Sequence, residues 1–571
     1  MTASSANQPT STSSTPLALD TAEERARLAG RTLGDALLLG IVGDALLRVS
    51  SWGANMTAWS IAIVLAMVTL ARRRSEPLSP DARWLLVPAI ALSLMFVLRD
   101  SEELVAYNTL TLIGTLALLA AAIEGSRVRK LTESRVRDIV QTAVTVGLSA
   151  ALGMLPLVLS DVSLRQVANG RGASRAITGI RAALVAIPLL LIFGGLFASA
   201  DPVFARIAGD VLRIDAGTVA SHLAVSGIIA WLVGGLLRAT VLSSGPNWGL
   251  PFPDGALGLT EVAVALGSLV LLFAAFVVVQ LRYFFGGDAL VQATAGMSYA
   301  DYARRGFFEL VAVAALVLPV LLAANALLRR ATPLAGRVFR TLASVLLGLL
   351  GVIMYSAVAR MQLYVSAYGL SADRLVATVF IGWLALVFVW FALTVLRERE
   401  ARFVSGVLVS GWTTLIAFNV ADPAGYVARF NVARGNAGKT VDVRYIARLG
   451  GDAAPALVEY LVHQPLTPPA GWVPPDPSAA ASSSAIVGGP STVPVSPVST
   501  EPASYTERCE AARRLLRDWS PSSPDDWRSW SVGRAKARRT VAANEAALRT
   551  LAGRETDGTR PLGCAAMPGN S

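Results

Sequence analysis

The stretch VAVALGSLVLLFAAFVVV, residues 262–279, decides the fold class of this chain, because it contains no charged side chain. A helix of this length rises about 27 Å, close to the ~30 Å thickness of the hydrocarbon core of a bilayer. A second such stretch, MTAWSIAIVLAMVTLA, occupies residues 56–71. Apolar blocks of this kind recur along the chain, which predicts membrane-spanning helices rather than isolated buried core helices.

The composition of the chain agrees with a membrane protein. Of its 571 residues, 54% are hydrophobic and 16% are charged, and the mean hydropathy is +0.54, whereas soluble domains carry about 25% charged residues. We therefore predict an all-α fold, a polytopic transmembrane helix bundle of about 11–12 spans with a small helical soluble C-terminal region. The predicted spans are 33–49, 55–71, 83–98, 104–123, 138–159, 177–199, 219–241, 260–281, 306–327, 339–358, 375–396 and 404–420.

Five segments are expected along the chain: a flexible N-terminal tail at 1–32, the bundle at 33–421, a short helical juxtamembrane region at 422–463, a Pro/Ser/Ala-rich linker at 464–504 and a basic helical tail at 505–571. Residues 1–20 lack the basic and apolar segments of a secretory signal peptide, so none is expected. Asp442 and Asp452 are predicted to cap helices in the juxtamembrane region.

The distribution of arginine and lysine predicts the orientation. Basic loops follow the second and fourth spans, at residues 72–74 and 127–137, whereas the loop between the third and fourth spans, residues 99–103, is acidic. Since basic loops are retained in the cytoplasm, the protein is expected in the cell membrane with a cytoplasmic N-terminus. Arginines at 165–175 and 329–340 do not fit this pattern, because a count of twelve spans places both groups outside. Twelve spans place the C-terminal tail in the cytoplasm, and eleven place it outside.

Several landmarks resemble an uncharacterised family of bacterial multi-pass inner-membrane proteins that is labelled only as a domain of unknown function. The landmarks, in chain order, are ADPVFARI (200–207), YARRGFFELVAV (302–313), RMQLYVSAYGLSADR (360–374), FNVARGNAGKTVDVRYIARLGGDAAPAL (430–457) and WRSW (527–530). The resemblance runs from about the sixth span to the end of the chain. It implies a polytopic inner-membrane protein and supplies no activity or site residues.

Two acidic side chains lie in the first predicted span. Asp35 and Asp44 are nine residues apart, which places them on opposite faces of a helix, so they are not expected to line one cavity. Each has an arginine four residues away, Arg31 and Arg48 respectively, a spacing at which opposite charges meet. Pairing of these charges near the membrane surfaces is the favoured interpretation, and a proton-carrying role is the alternative.

Glu309 opens the ninth predicted span, with Arg305 one turn before it. The favoured interpretation is an interfacial anchor, in which neighbouring aromatic residues and Arg305 hold the glutamate at headgroup depth. The alternative directs Glu309 into the bundle, opposite Arg360, where the pair would lock helices or gate a pathway.

The stretch ARGNAGKT, residues 433–440, fits a loose phosphate-loop pattern. A working phosphate loop follows a buried strand and requires a second strand with an acidic residue. The preceding residues include Arg429 and Asn431, and the following 150 residues supply no set of strand and helix units. We interpret the match as chance and the stretch as a turn between two short helices in which Lys439 is solvated.

Other site chemistry finds little support in the sequence. The two histidines, His222 and His463, and the two cysteines, Cys509 and Cys564, do not form a zinc pattern, so no metal or cofactor is expected. A Cys509–Cys564 disulfide would require an oxidising compartment. The net charge of +11 is explained by cytoplasmic loops rather than by nucleic acid.

The expected partners are the lipid bilayer and a molecule that meets the C-terminal tail. The basic helix around Arg534 and Arg538, close to Trp527 and Trp530, could contact anionic lipid if the tail is cytoplasmic, or could remain solvated. The sequence favours a non-enzymatic membrane scaffold or sensor. The alternative is a secondary transporter or channel for an unidentified solute, and the oligomeric state stays open.

Overall fold

A computed structural model of the protein shows a helical fold. The structure describes residues 22–49, 51–74, 77–125, 133–161, 182, 186, 189–190, 193–194, 196–197, 199–203, 216–242, 256–295, 307–329, 332–463, 505–521 and 526–552. The helices are α1 Ala22–Leu47, α2 Ala54–Arg72, α3 Pro80–Leu98, α4 Glu102–Glu124, α5 Val136–Leu152, α6 Met154–Asp161, α7 Ala216–Val241, α8 Leu259–Ala295, α9 Phe307–Leu327, α10 Pro333–Tyr368, α11 Ala372–Thr394, α12 Ala401–Val420, α13 Pro423–Asn436, α14 Val443–Arg448, α15 Ala454–His463, α16 Tyr505–Trp519, α17 Val532–Ala543 and α18 Glu545–Leu551.

The predicted class of membrane helix bundle is confirmed. Nine helices in the described part of the chain are long and apolar enough to cross a membrane, and the bent pair α5 and α6, at 49°, would make ten. The predicted sixth span, 177–199, lies mostly outside the described residues. Most of the predicted first span, 33–49, lies in α1, which ends at Leu47. This helix is not among the nine because Asp35, Asp44 and several arginines interrupt its apolar character.

The chain divides into two compact units. The first unit comprises residues 1–48, 58–90 and 112–250. In this unit α1 packs along α7 at a close crossing. A Cβ at Gly40 would lie 2.5 Å from the carbonyl oxygen of Ser226, so glycine at this position permits the backbones to approach.

The second unit comprises residues 49–57, 91–111 and 251–571. Helix α8 packs on α10, and α11 packs on both α10 and α12. A sharp reversal joins α10 to α11 through Gly369, whose φ of +82° favours glycine. Ser371 then caps α11, because its hydroxyl accepts a hydrogen bond from the backbone N–H of Arg374 at 3.3 Å.

Helices α13 to α18 form a C-terminal domain with its own hydrophobic core. The predicted juxtamembrane region and basic tail both contribute to it: Val443 and Leu457 come from the former, and Leu515 and Val541 from the latter. The predicted linker, 464–504, lies outside the described residues. The two segments therefore share one core although about 40 residues separate them in sequence.

One predicted helix cap of this domain is found and the other is wrong. Asp442 accepts a hydrogen bond from the backbone N–H of Tyr445 at 2.8 Å and caps α14. Asp452 does not cap a helix, because its two carboxylate oxygens face residues from a distant loop.

Candidate functional site

A set of charged residues in the second unit, half-buried except for the buried Asp452, lies where the C-terminal domain meets the loop between α3 and α4. We call it the junction cluster, and it consists of Arg99, Asp100, Asp422, Asp452 and Arg534. Arg99 and Asp100 come from the loop, Asp422 precedes α13, Asp452 precedes α15, and Arg534 lies in α17. Four short segments of sequence thus converge on one place.

Arg99 connects three elements at once. Its Nε donates to the carbonyl oxygen of Asn419 at 2.6 Å, and its Nη2 donates to that of Val420 at 2.8 Å. These carbonyls end α12, where a cation interacts favourably with the helix dipole. Its Nη1 also lies 3.5 Å from Oδ1 of Asp422 and 3.4 Å from Oδ1 of Asp452.

Asp100 holds the C-terminal domain through side chain and backbone. Its carboxylate accepts hydrogen bonds from Nε of Arg534 at 2.5 Å and from the backbone N–H of Gly451 at 3.0 Å. Its backbone N–H donates to Oδ2 of Asp452 at 2.8 Å. Hydrogen bonds between charged partners of this kind are roughly twice as strong as neutral ones.

Asp452 has the most perturbed environment in the cluster. Burial raises the pKa of its carboxyl from 3.8 to about 6, and the backbone N–H of Asp100 opposes this shift. The negative charges of Asp422 and Asp100 raise the pKa further, whereas Arg99 lowers it. The carboxyl of Asp452 therefore loses its proton just below neutral pH. It does so while in contact with the loop between the spanning helices α3 and α4.

A cavity of about 910 Å³ adjoins the cluster. Its acidic side includes Glu102 and Glu103, which open α4, and its basic side includes Arg538 and Arg539 from α17. Aromatic and further charged residues complete the wall: Trp52, Trp519, Trp530, Arg514, Asp518, Asp526 and Arg534. The cavity is thus bounded both by the C-terminal domain and by loops that lead directly into α2 and α4.

Below the cluster, two buried amides join α4 to α12. Asn108 Nδ2 donates to Oδ1 of Asn419 at 3.0 Å, and Asn419 Nδ2 donates to Oδ1 of Asn108 at 2.9 Å. Asn419 is a buried polar side chain near the end of α12, in the last predicted span. The pair explains how this polar side chain is accommodated, since each amide satisfies the other.

The predicted pairing of Asp44 with Arg48 is found in the first unit. Nε of Arg48 lies 2.6 Å from Oδ1 of Asp44, whose side chain is buried. His222 Nδ1 contacts the other carboxylate oxygen, a partner that sequence spacing does not reveal. Asp35 is half-buried on another turn of α1. The proton-carrying alternative for these residues stays a prediction.

A second charge group in the first unit was missed by sequence reasoning. Asp161 is buried at the end of α6, where Oδ1 lies 3.1 Å from Nη2 of Arg25 and Oδ2 lies 2.6 Å from Nε of Arg238. The three residues come from positions 25, 161 and 238. Because these positions are far apart in the chain, the spacing of charged residues along the sequence does not predict this contact.

The residues predicted around Glu309 are only partly described. Glu309 lies in the first turn of α9 and is exposed, and Arg305 lies outside the described residues. Arg360 donates to Oε1 of the buried Gln280 at 2.6 Å, and Ser356 donates to the same atom at 3.2 Å. Both interpretations of Glu309 stay predictions.

The phosphate-loop match has a helix where a strand is required. Residues 433–436 form the last turn of α13, and residues 437–442 are the turn that leads to α14, as predicted. Gly438 has a φ of +79°, and Lys439 is exposed. Gly435 packs so closely on Val441 and Tyr460 that it has no room for a side chain.

In the described part of the chain, no group of three or more histidine, cysteine, aspartate or glutamate side chains is arranged to hold a metal ion. The carboxylates of the junction cluster are instead interleaved with arginines and backbone N–H groups. The carboxylates of Asp100, Asp422 and Asp452 thus each have an arginine partner within the cluster.

Comparison with known proteins assigns a family but no activity. No curated protein and no solved structure matches the chain significantly. A family described as a domain of unknown function, DUF4153, matches residues 86–460. The match begins earlier than the resemblance in the sequence suggested and stops before WRSW at 527–530. It runs from within α3 to within α15 and includes four residues of the junction cluster. Because it covers more than half of the chain, this protein belongs to the DUF4153 family.

Proposed function

We propose that this multi-pass membrane protein is a non-enzymatic sensor or scaffold whose C-terminal domain meets a partner on its own side of the membrane. The observation that carries the proposal is the junction cluster. It ties a separately cored domain to the ends of spanning helices through charged contacts, and charged contacts rearrange more easily than a packed apolar interface.

The cavity beside the cluster favours the sensor over the scaffold. A molecule bound there would touch α17 on one side and the first turn of α4 on the other. Because Asp100 connects the same two elements, an occupant that displaces Arg534 would alter the position of the loop. Binding energy at the domain could thus bias the arrangement of the spanning helices.

Photocrosslinking in intact cells tests the proposal. A photoreactive amino acid replaces Glu103 in the cavity wall, and a matched control variant carries it at the exposed Glu459 of α15. We expect a discrete adduct from position 103 that is absent from position 459 and is reduced when Arg534→Ala is added. Equal adducts from both positions, or none from position 103, would contradict a specific partner at the cavity.

The alternative function is that of a secondary transporter or channel. It is favoured by the polar group of Gln280, Ser356 and Arg360 between α8 and α10, since polar side chains in spanning segments often line solute pathways. An Arg360→Gln variant that folds normally but loses an assignable flux in proteoliposomes would favour transport. A variant that loses only folding would support a structural role for the group.

A further inference from the structure

The C-terminal domain contacts one end of several spanning helices in the second unit. The backbone N–H of Ala54, the first residue of α2, donates to the carbonyl oxygen of Trp530 at 2.9 Å. The loop after α3 meets the domain through Asp100, and the end of α12 continues directly into it. These contacts place the start of α2, the end of α3 and the end of α12 at the domain.

The turn between α10 and α11 lies at the same end. The backbone N–H of Leu370 donates to Oδ1 of Asn431 at 3.0 Å, and the backbone N–H of Ala372 donates to the hydroxyl of Tyr445 at 2.7 Å. Helices α10 and α11 therefore have their other ends away from the domain. Every spanning helix whose end contacts the domain is thereby given a direction.

The two ends of these helices differ in charge. At the end away from the domain lie the start of α10 and the connection from α11 to α12. The arginines there are Arg337, Arg340, Arg397, Arg399 and Arg402, and the acidic residues are Glu398 and Glu400. At the end that contacts the domain, the connection from α3 to α4 carries Asp100, Glu102 and Glu103 beside Arg99.

We infer that the C-terminal domain and its cavity face the extracytoplasmic side of the membrane. Short arginine-rich connections are retained in the cytoplasm, so the end of the bundle away from the domain is cytoplasmic and the domain lies opposite. This selects the outside location that the span count left open. It goes beyond the proposed function, which names no side, and it holds whether or not that function is correct.

The cysteine chemistry of the domain supports this sidedness independently. Cys509 in α16 is buried and disulfide-bonded, and the only other cysteine of the chain, Cys564, lies outside the described residues. Disulfides persist in oxidising compartments and are rare in the cytoplasm. A partner of the cavity would accordingly be an extracytoplasmic molecule, and anionic lipid of the cytoplasmic leaflet would not reach it.

The unmodified protein contains the labels that test the inference. Its only lysines are Lys130, Lys439 and Lys536. Lys439 and Lys536 are exposed on the C-terminal domain, and Lys130 belongs to the basic loop predicted to be cytoplasmic. A membrane-impermeant amine reagent is applied to intact cells and to permeabilised cells, and labelling is assigned by peptide mapping.

We expect Lys439 and Lys536 to be labelled in intact cells at least tenfold more than Lys130, and all three to be labelled after permeabilisation. Labelling of Lys130 alone, labelling of all three in intact cells, or protection of both domain lysines until permeabilisation would overturn the inference. Reporters fused after Ser571 give a second measurement: alkaline phosphatase activity supports the extracytoplasmic location, and fluorescence of a cytoplasm-dependent green fluorescent protein refutes it.

Discussion

Asp452 shows how a single buried carboxyl makes the junction cluster sensitive to pH. Its pKa is 3.8 in the unfolded chain and about 6 in the folded protein. Between these values the folded state holds a proton that the unfolded state has released, so the contribution of this carboxyl to stability is fully present below pH 4 and is lost as the pH rises through 6. The difference corresponds to roughly 3 kcal/mol, at ~1.4 kcal/mol per pKa unit.

We therefore predict that Asp452→Asn flattens the dependence of stability on pH between 4 and 7. The asparagine carries no charge, although Arg99, Asp100, Asp422 and Arg534 still surround it. The melting temperature of the full-length protein in detergent, measured across this window, checks the prediction. Glu510→Gln removes an exposed carboxylate that pairs with Arg444 and serves as control. An equally steep dependence in Asp452→Asn would contradict the assignment.

The phosphate-loop match can be decided at the level of single residues. A Cβ at Gly435 would overlap Val441 and would lie 3.2 Å from Tyr460, both of which are buried. Gly435→Ala is expected to cost about 1–3 kcal/mol through overpacking. Lys439→Ala, at an exposed position, should change stability by less than about 0.5 kcal/mol.

Thermal unfolding and titration with a fluorescent ATP analogue measure both variants. If the stretch were a nucleotide site, Lys439→Ala would be the more damaging variant. The lysine of such a site contacts phosphate directly, so its removal would abolish nucleotide binding without affecting the fold. Nucleotide binding by the wild type that is lost in Lys439→Ala would reopen the question.

At the scale of elements, the amide pair of Asn108 and Asn419 is expected to stabilise the contact of α4 with α12. Asn108→Leu leaves the Asn419 amide without this partner, and we expect a loss of about 1–2 kcal/mol. Replacing both asparagines by leucine removes both polar groups together. The double variant should therefore lose less than the sum of the single variants.

A double-mutant cycle on the melting temperature measures this coupling. Thr109→Val is a suitable control, because the hydroxyl of Thr109 donates to the carbonyl oxygen of Val105 within the same helix. Additive losses from the two asparagine substitutions would mean that the pair contributes no specific interaction between the helices.

The spanning helices were largely predictable because hydrocarbon imposes a minimum length of apolar sequence on each. The observed ends of two helices differ from the predicted ends, because these helices continue into residues that are not apolar. Helix α1 extends back to Ala22 through a run of charged residues, and α10 continues to Tyr368 beyond the apolar core of its span. Helical hydrogen bonding does not stop where hydropathy falls, so the ends of these helices had to come from the structure.

At the scale of the whole molecule, the C-terminal domain combines segments that the sequence separates. The Pro/Ser/Ala-rich stretch at 464–504 suggested a boundary, yet Leu457 and Leu515 share one core across it. The sequence pattern of an amphipathic helix shows that the helix has an apolar face, but it does not specify which other helix covers that face. That pairing depends on shape and distance in three dimensions.

The junction cluster has the same origin. From the sequence alone, the loop that contains Arg99 and Asp100 indicates only the orientation of the chain in the membrane. Asp452 is predicted from the sequence to cap a helix. Their partners lie more than 300 residues away in sequence, so the contacts among them and the raised pKa of Asp452 are properties of the tertiary structure alone.

The sequence by itself determined that this protein is a multi-pass helical membrane protein, because the bilayer acts on each span locally through length and apolarity. It also predicted the turn between two helices that follows Asn436, although the first half of ARGNAGKT, residues 433–436, is the last turn of α13. Only the tertiary structure decided which loops the C-terminal domain meets, and with them the charge cluster, the cavity and the end of the bundle that carries the domain, because these depend on contacts between residues far apart in the chain.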